Sequence, residues 1–285
     1  MRIIEPIKTI DGKPKRNLRK IIIFVVGVMA ILVSLWLIFA KKQAPTSSKT
    51  YSQPTAASSQ AASAEPEQAK PKQLRKLTGA EIKTFLDSFS YPNVSEIQDL
   101  PLITGNIEAD KKIRQLAEAR GYRQRAIPNT SLVKVDNYSL QQKAITSWQA
   151  LKAAAARDSI SLQLNEGFRS IDDQRQLFMA RFSAAGGTAS SVAAGNQDAL
   201  VDKLLEVTAI PGYSKHHTGF TVDIACGDSG DVFERTPCFA WLSKDNYVNA
   251  KLAGWLPSYP EGAPAQGPNP EPWEYVWVGP DSLYE

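Results

Sequence analysis

Apolar residues follow two different patterns along the chain. Residues 21–40 form an unbroken block of twenty uncharged residues rich in Ile, Val, Leu and Phe, whereas beyond residue 77 apolar positions recur at helix or strand spacing. At about 1.5 Å per residue the block covers roughly 30 Å, enough to cross a bilayer core. It is longer than a signal-peptide core and runs into Lys41 and Lys42 without a small-residue cleavage pattern, so it predicts a retained transmembrane helix. Residues 41–76 are dominated by Ala, Ser, Pro, Gln and Lys with no apolar period. Such a segment cannot bury a core and predicts a disordered tether with ends about 30 Å apart.

Residues 77–285 carry the folding signals. Thr78 and Glu81 have capping-box spacing, followed by Ile82, Phe85, Leu86 and Phe89 on one helical face. Helices are predicted over 107–120, where Ile113, Leu116 and Ala117 form a stripe ended by Gly121, and over 140–157, where Ile145, Trp148 and Leu151 recur beside a run of alanines. Ile160, Leu162 and Leu164 alternate with polar residues as a strand, 172–182 has helical character, and 221–225 and 274–278 predict short strands. Helices grouped early, with strands near the polar motifs, predict an α+β domain with a small antiparallel sheet and flanking helices. The expected organisation is a tail (1–20), a membrane helix (21–40), a linker (41–76) and one domain (77–285).

Charge refines this picture. The whole chain has a formal charge of +4, but residues 1–20 and 41–76 each carry seven basic and two acidic groups, which leaves 77–285 at −6. The basic excess thus belongs to tail and linker, and nucleic acid is not an expected partner of the domain. Basic residues before the apolar block place the N-terminus in the cytoplasm and the domain outside, giving a single-pass protein of the cell membrane. Cys226 and Cys238 can oxidise there. A metal pair is the alternative, but their spacing is not that of a zinc knuckle, which favours the disulfide.

Three motifs bear on chemistry. In 214–223, SKHHTGFTVD, the strand beginning at Thr221 puts Asp223 on the face away from Val222 and Ile224, where His216 can reach it around Gly219. A His and an Asp meeting this way suit zinc; on spacing alone they also suit a simple hydrogen-bonded pair. In 166–170, EGFRS, with Gln174 following, Arg169 can clamp a carboxylate or polarise a carbonyl, or form an ordinary ion pair. In 271–275, EPWEY, one carboxylate can ligate a metal and the other act as a base, or the pair can be an acidic turn.

Together these segments resemble the VanY-type D-alanyl-D-alanine carboxypeptidase family of zinc peptidases, with its S-x-H-x-x-G-x-A-x-D, G-[YF]-R-S and E-P-W-H motifs. The matches are Ser214, His216, Gly219 and Asp223; Gly167, Phe168, Arg169, Ser170 and Gln174; and Glu271, Pro272 and Trp273. Asn106, Ala109, Asp110 and the run Arg120-Gly121-Tyr122 extend the resemblance over roughly 78–280. It implies one zinc ion on His216 and Asp223, Glu271 as general base, Arg169 as oxyanion clamp, and Ser214 and Gln174 as contacts to a peptidoglycan stem peptide. His217, next to the ligand, is expected to contact substrate or to support the site residues from behind, rather than to bind the metal. The pattern departs from the family at Glu274, where the third ligand is a His, at Val276 in place of an Arg, and at Thr221 in place of Ala. Glu274 as a ligand would put a second negative charge on the ion and move its preference towards harder metals such as manganese. The same departure suits a relative that binds wall peptides without cleaving them. An L,D-carboxypeptidase or endopeptidase on this scaffold fits the motifs as well.

Overall fold

The computed structural model describes residues 73–227 and 232–285. The expected tail and membrane helix, and the expected linker up to residue 72, lie outside the described residues. Among the described residues no helix is long and apolar enough to cross a membrane. Residues 73–76, assigned by composition to the linker, belong to the folded body. Leu74 bridges to Tyr284, and the Arg75 N–H donates to the Leu283 carbonyl at 2.9 Å.

The centre is a four-stranded antiparallel sheet in the order β5 (Leu162–Glu166), β6 (Thr221–Cys226), β8 (Glu271–Trp277), β7 (Trp255–Tyr259). Two short pairs precede it: β1 (Val94–Ser95) with β2 (Ile127–Pro128), and β3 (Val133–Val135) with β4 (Tyr138–Leu140). One face of the sheet packs on α3 (Gln142–Arg157) and α7 (Pro237–Leu252). Trp148 and Leu151 of α3, Leu242 of α7, and Val222, Ile224 and Tyr275 of the sheet share one buried cluster. A second cluster joins α2 (Ile107–Ala119), α4 (Ile171–Ala184), α5 (Ala189–Ala193) and α6 (Asp198–Leu205) through Ile113, Phe178, Phe182, Val201 and Leu205. A third seats α1 (Gly79–Ser88) on Leu256 and Val276.

Local chemistry explains where elements begin and end. Thr78 accepts from Glu81 N–H while Glu81 returns a bond to Thr78 N–H, a complete capping box. Gly121 turns the chain after α2 at φ +101°, with the Ala265 carbonyl pressed where a side chain would stand, so both shape and space demand glycine. Pro237 opens α7 behind the Thr236 cap. That helix breaks at Lys244–Tyr247, where Asp245, Asn246 and Tyr247 are consecutively left-handed. Asn246 is fixed there by exchanging hydrogen bonds with the Leu77 backbone, 2.9 and 2.8 Å, and by Lys251 Nζ. Cys226 at the end of β6 and Cys238 in α7 form a disulfide, Cα–Cα 5.6 Å.

Candidate metal centre

The cleft is built where β5, β6 and β8 lie side by side. Backbone pairing sets Glu166 opposite Asp223, and Asp223 opposite Glu274, so three carboxylates form a row across the sheet. A register shift between Leu164 and Glu166 brings the last residue of β5 into this row. A second irregularity explains the EPWEY motif. Pro257 pairs with Tyr275 and Tyr259 with Glu271, two residues on β7 against four on β8. In a regular strand, residues three apart face opposite sides. The irregularity lets Glu271 and Glu274 line one cavity while Pro272 and Tyr275 face elsewhere.

His216 comes from a single 3-10 turn, Lys215–Thr218, capped by Ser214 Oγ and closed by Gly219 at φ +72°. The backbone then enters β6, and His216 Nε2 lies 3.3 Å from both Asp223 Oδ1 and Glu274 Oε2. The ligand-type atoms of these three residues all lie within 4.8 Å of one another. His216 Nδ1 lies 2.7 Å from the Gly167 carbonyl, which accepts its hydrogen and leaves Nε2 with a lone pair aimed at the carboxylates. His216 Nε2, Asp223 Oδ1 and Glu274 Oε1 are buried with no hydrogen-bond partner. Buried acceptors without partners are costly, and these three residues, with ligand atoms gathered within 4.8 Å, fit a divalent cation of the zinc or manganese class.

The electrostatics agree. Burial alone would lower the His216 pKa, but the Asp223 and Glu274 carboxylates raise it well above the usual imidazole value. Burial also works against ionised Glu274, yet His216 and Lys215 hold it down at about 2. Asp223 is raised by burial against the pull of His216. Without a cation, a proton on His216 balances the cluster; a metal would take its place. Glu271, in the same cavity, is pushed up to about 10 by burial and by the neighbouring Glu274 charge.

Arg169 is ordered from three directions. Its Nε donates to Glu166 Oε1 at 2.6 Å, its Nη2 to Glu166 Oε2, and its Nη1 to Gln174 Oε1 at 2.7 Å. Two of its five N–H groups remain for the cleft. Gln174 is fully buried and donates from Nε2 to the Ala209 carbonyl at 2.6 Å, tying α4 to the loop after α6.

A cavity of about 540 Å³ contains Ser214, Gln174, Arg169, His216, Asp223, Glu271 and Glu274. Of the residues the sequence pointed to, His217 stands apart. It is fully buried and does not line the cavity. Its Nδ1–H donates to the Arg169 carbonyl at 2.7 Å and its Nε2 accepts from Gly212 N–H at 3.0 Å, so both nitrogens are spent on backbone. Of its two expected roles, contact to substrate or support from behind, the geometry fits the second: it is a buried strut that holds the EGFRS loop to the SKHHTG turn. Burial pushes its pKa down to about 4 and keeps it neutral. Two residues escaped the sequence reading. Glu166 was visible only as an acid three before Arg169. Lys215 is buried, donates to the Ser258 carbonyl and sits 3.8 Å from the Tyr259 ring centroid. Burial pushes it down to about 7.

The family model for VanY, described as D-alanyl-D-alanine carboxypeptidase, matches residues 137–280. That is half of the chain, and the chain belongs to this family. A curated relative is the provisionally named carboxypeptidase YodJ of Bacillus subtilis (strain 168), 26% identical over 149 residues, which are 51% of this chain and 49% of YodJ. The chain thus spans about half the length of that relative. Among solved structures, a zinc complex of a variant of the vancomycin-resistance D,D-pentapeptidase VanY from a VanB-type cassette is 22% identical, with a TM-score of 0.44 over 59% of this chain and 91% of that one. The LdcB LD-carboxypeptidase is 22% identical, with a TM-score of 0.41 over 55% and 69%.

Proposed function

We propose that the chain is a metal-dependent D-alanyl-D-alanine carboxypeptidase acting on peptidoglycan stem peptides. The observation that carries this reading is the meeting, in one open cleft, of the ligand atoms of His216, Asp223 and Glu274 with a buried carboxylate and an anchored guanidinium.

His216, Asp223 and Glu274 would hold one divalent ion, zinc or manganese. When bound, it supplies Lewis acidity for the scissile carbonyl and acidifies a water. The charge of a bound cation would draw the raised pKa of Glu271 down, so that this carboxylate could take the proton of the attacking water and deliver it to the departing amine. The remaining Arg169 N–H groups stabilise charge developing on the carbonyl oxygen, and the ties to Glu166 and Gln174 keep that donor from having to reorganise. Ser214, at the wall of the cleft, is placed to hydrogen-bond the peptide. The apolar block at 21–40 and the tether behind it would hold this domain outside the cell membrane, within reach of the wall.

The test is release of D-alanine from a stem pentapeptide ending in D-Ala-D-Ala, by the purified protein with added zinc or manganese. Release that vanishes in Glu271→Ala supports the proposal; no release with either metal defeats it.

Glu274 favours a second reading. Two carboxylates on one ion reduce its Lewis acidity relative to a set with one carboxylate. A homologue that binds wall peptide without cleaving it would retain pentapeptide binding and show no turnover with any metal. If the chain is active but releases the terminal residue only from a tetrapeptide, it is an L,D-carboxypeptidase; internal cleavage would make it an endopeptidase.

A further inference from the structure

A second cavity, of about 300 Å³, lies between α7 and the β7–β8 edge of the sheet. Among the described residues it shares only Tyr259 with the candidate metal cleft. Its volume is at the lower end of the roughly 300–1,000 Å³ of small-molecule pockets. Phe239, Tyr247, Tyr259 and Tyr275 contribute to the wall together with prolines from both strands, and among the described residues the charged ones lining it, Glu234 and Glu261, are both acids.

Two features separate this cavity from an ordinary packing gap. Glu234 and Glu261 form no ion pair with any described residue. Tyr247 is held at φ +64°, the last of three consecutive left-handed residues, which is unusual for a bulky side chain. That conformation is enforced by the Asn246 bonds to Leu77 and Lys251, and it brings the Tyr247 ring edge-on to Tyr275 at 6.5 Å between centroids. Backbone strain that is locked in place is a mark of binding sites.

We infer that this cavity is a binding site for an alkylammonium group, of the kind carried by a basic amino-acid side chain. The tyrosine rings attract a cation, the apolar walls accept its alkyl stem, and the two glutamates balance its charge. An anion would meet two carboxylates, and an uncharged ligand would leave them without a counter-charge. The inference does not depend on the peptidase reading, since none of the proposed metal ligands or catalytic groups lines this cavity.

Calorimetric titration of the full-length protein with Nα-acetyl-L-lysine methylamide tests it, with the norleucine analogue as the uncharged control. Saturable binding of the lysine derivative is expected, about tenfold tighter than the control, as one charge-assisted hydrogen bond would give. It should be lost in the double variant Glu234→Gln/Glu261→Gln, whose sites are exposed and do not hold the fold, and retained in Glu271→Gln, which alters only the metal cleft. Absence of saturable binding, equal affinity for the control, or indifference to the double substitution would overturn the inference. So would loss of binding in Glu271→Gln, which would place the amine in the metal cleft.

Discussion

Asp223 lies directly opposite Glu274 on the neighbouring antiparallel strand, and a carboxylate oxygen of each is 3.3 Å from the same atom, His216 Nε2. This relationship turns three residues spread over 58 positions of sequence into one cluster, and it makes metal and proton competitors for a single place. Below the raised pKa of His216 a proton must be displaced before a cation can bind. Metal affinity should therefore fall as pH falls, with protons released on binding. Titration with zinc in two buffers of different ionisation enthalpy measures that release; affinity independent of pH would contradict it.

In the proposed reaction Glu271 is the proton acceptor rather than a metal ligand. Glu271→Gln should lower kcat by about 10²–10⁴, the usual contribution of a general base, with metal content unchanged. Steady-state kinetics beside elemental analysis of the same preparation would distinguish this from loss of the metal.

Arg169 and Glu166 should behave as one unit, because the guanidinium fork is filled by that carboxylate. Arg169→Ala should cost about 10²–10³ in kcat, as removal of an oxyanion donor does. Glu166→Gln should lower kcat more than it changes KM. The double variant should be far less impaired than the product of the two single losses.

The motif residues were legible in sequence because their chemistry is tied to identity and spacing, and the structure gathers Ser214, His216, Asp223, Arg169, Gln174, Glu271 and Glu274 around one cavity. What spacing could not show was how Glu271 and Glu274 come to share a face, since that depends on the extra residues in β8 against β7. The role of His217 stayed open for a related reason. Its neighbours do not reveal that a 3-10 turn, rather than extended chain, spends both its nitrogens on backbone groups. The early helices follow their apolar stripes closely. By contrast β7 contains Pro257, which argues against a strand until it is seen at the sheet edge, where no ladder bond is required of it. Helix α7 escaped notice because its pattern is broken by the left-handed run at 245–247.

Buried His217 makes a prediction about acid stability. Its pKa is about 4 in the folded state and 6.5 as a free side chain, so the unfolded chain binds the extra proton between these values. Its contribution is fully present above pH 6.5 and is lost as pH falls towards 4, at up to about 1.4 kcal/mol per pH unit. Denaturant melts across pH 4–7 should show that loss, and His217→Gln should flatten it.

The central claim is that His216, Asp223 and Glu274 hold a metal ion. Elemental analysis of the purified full-length protein, after dialysis against zinc and then metal-free buffer, addresses it most directly. One divalent ion per chain, lost in Asp223→Ala and in Glu274→Ala while the circular dichroism of the fold is kept, is the predicted result. A folded protein that retains no metal, or one whose metal survives both substitutions, would contradict it.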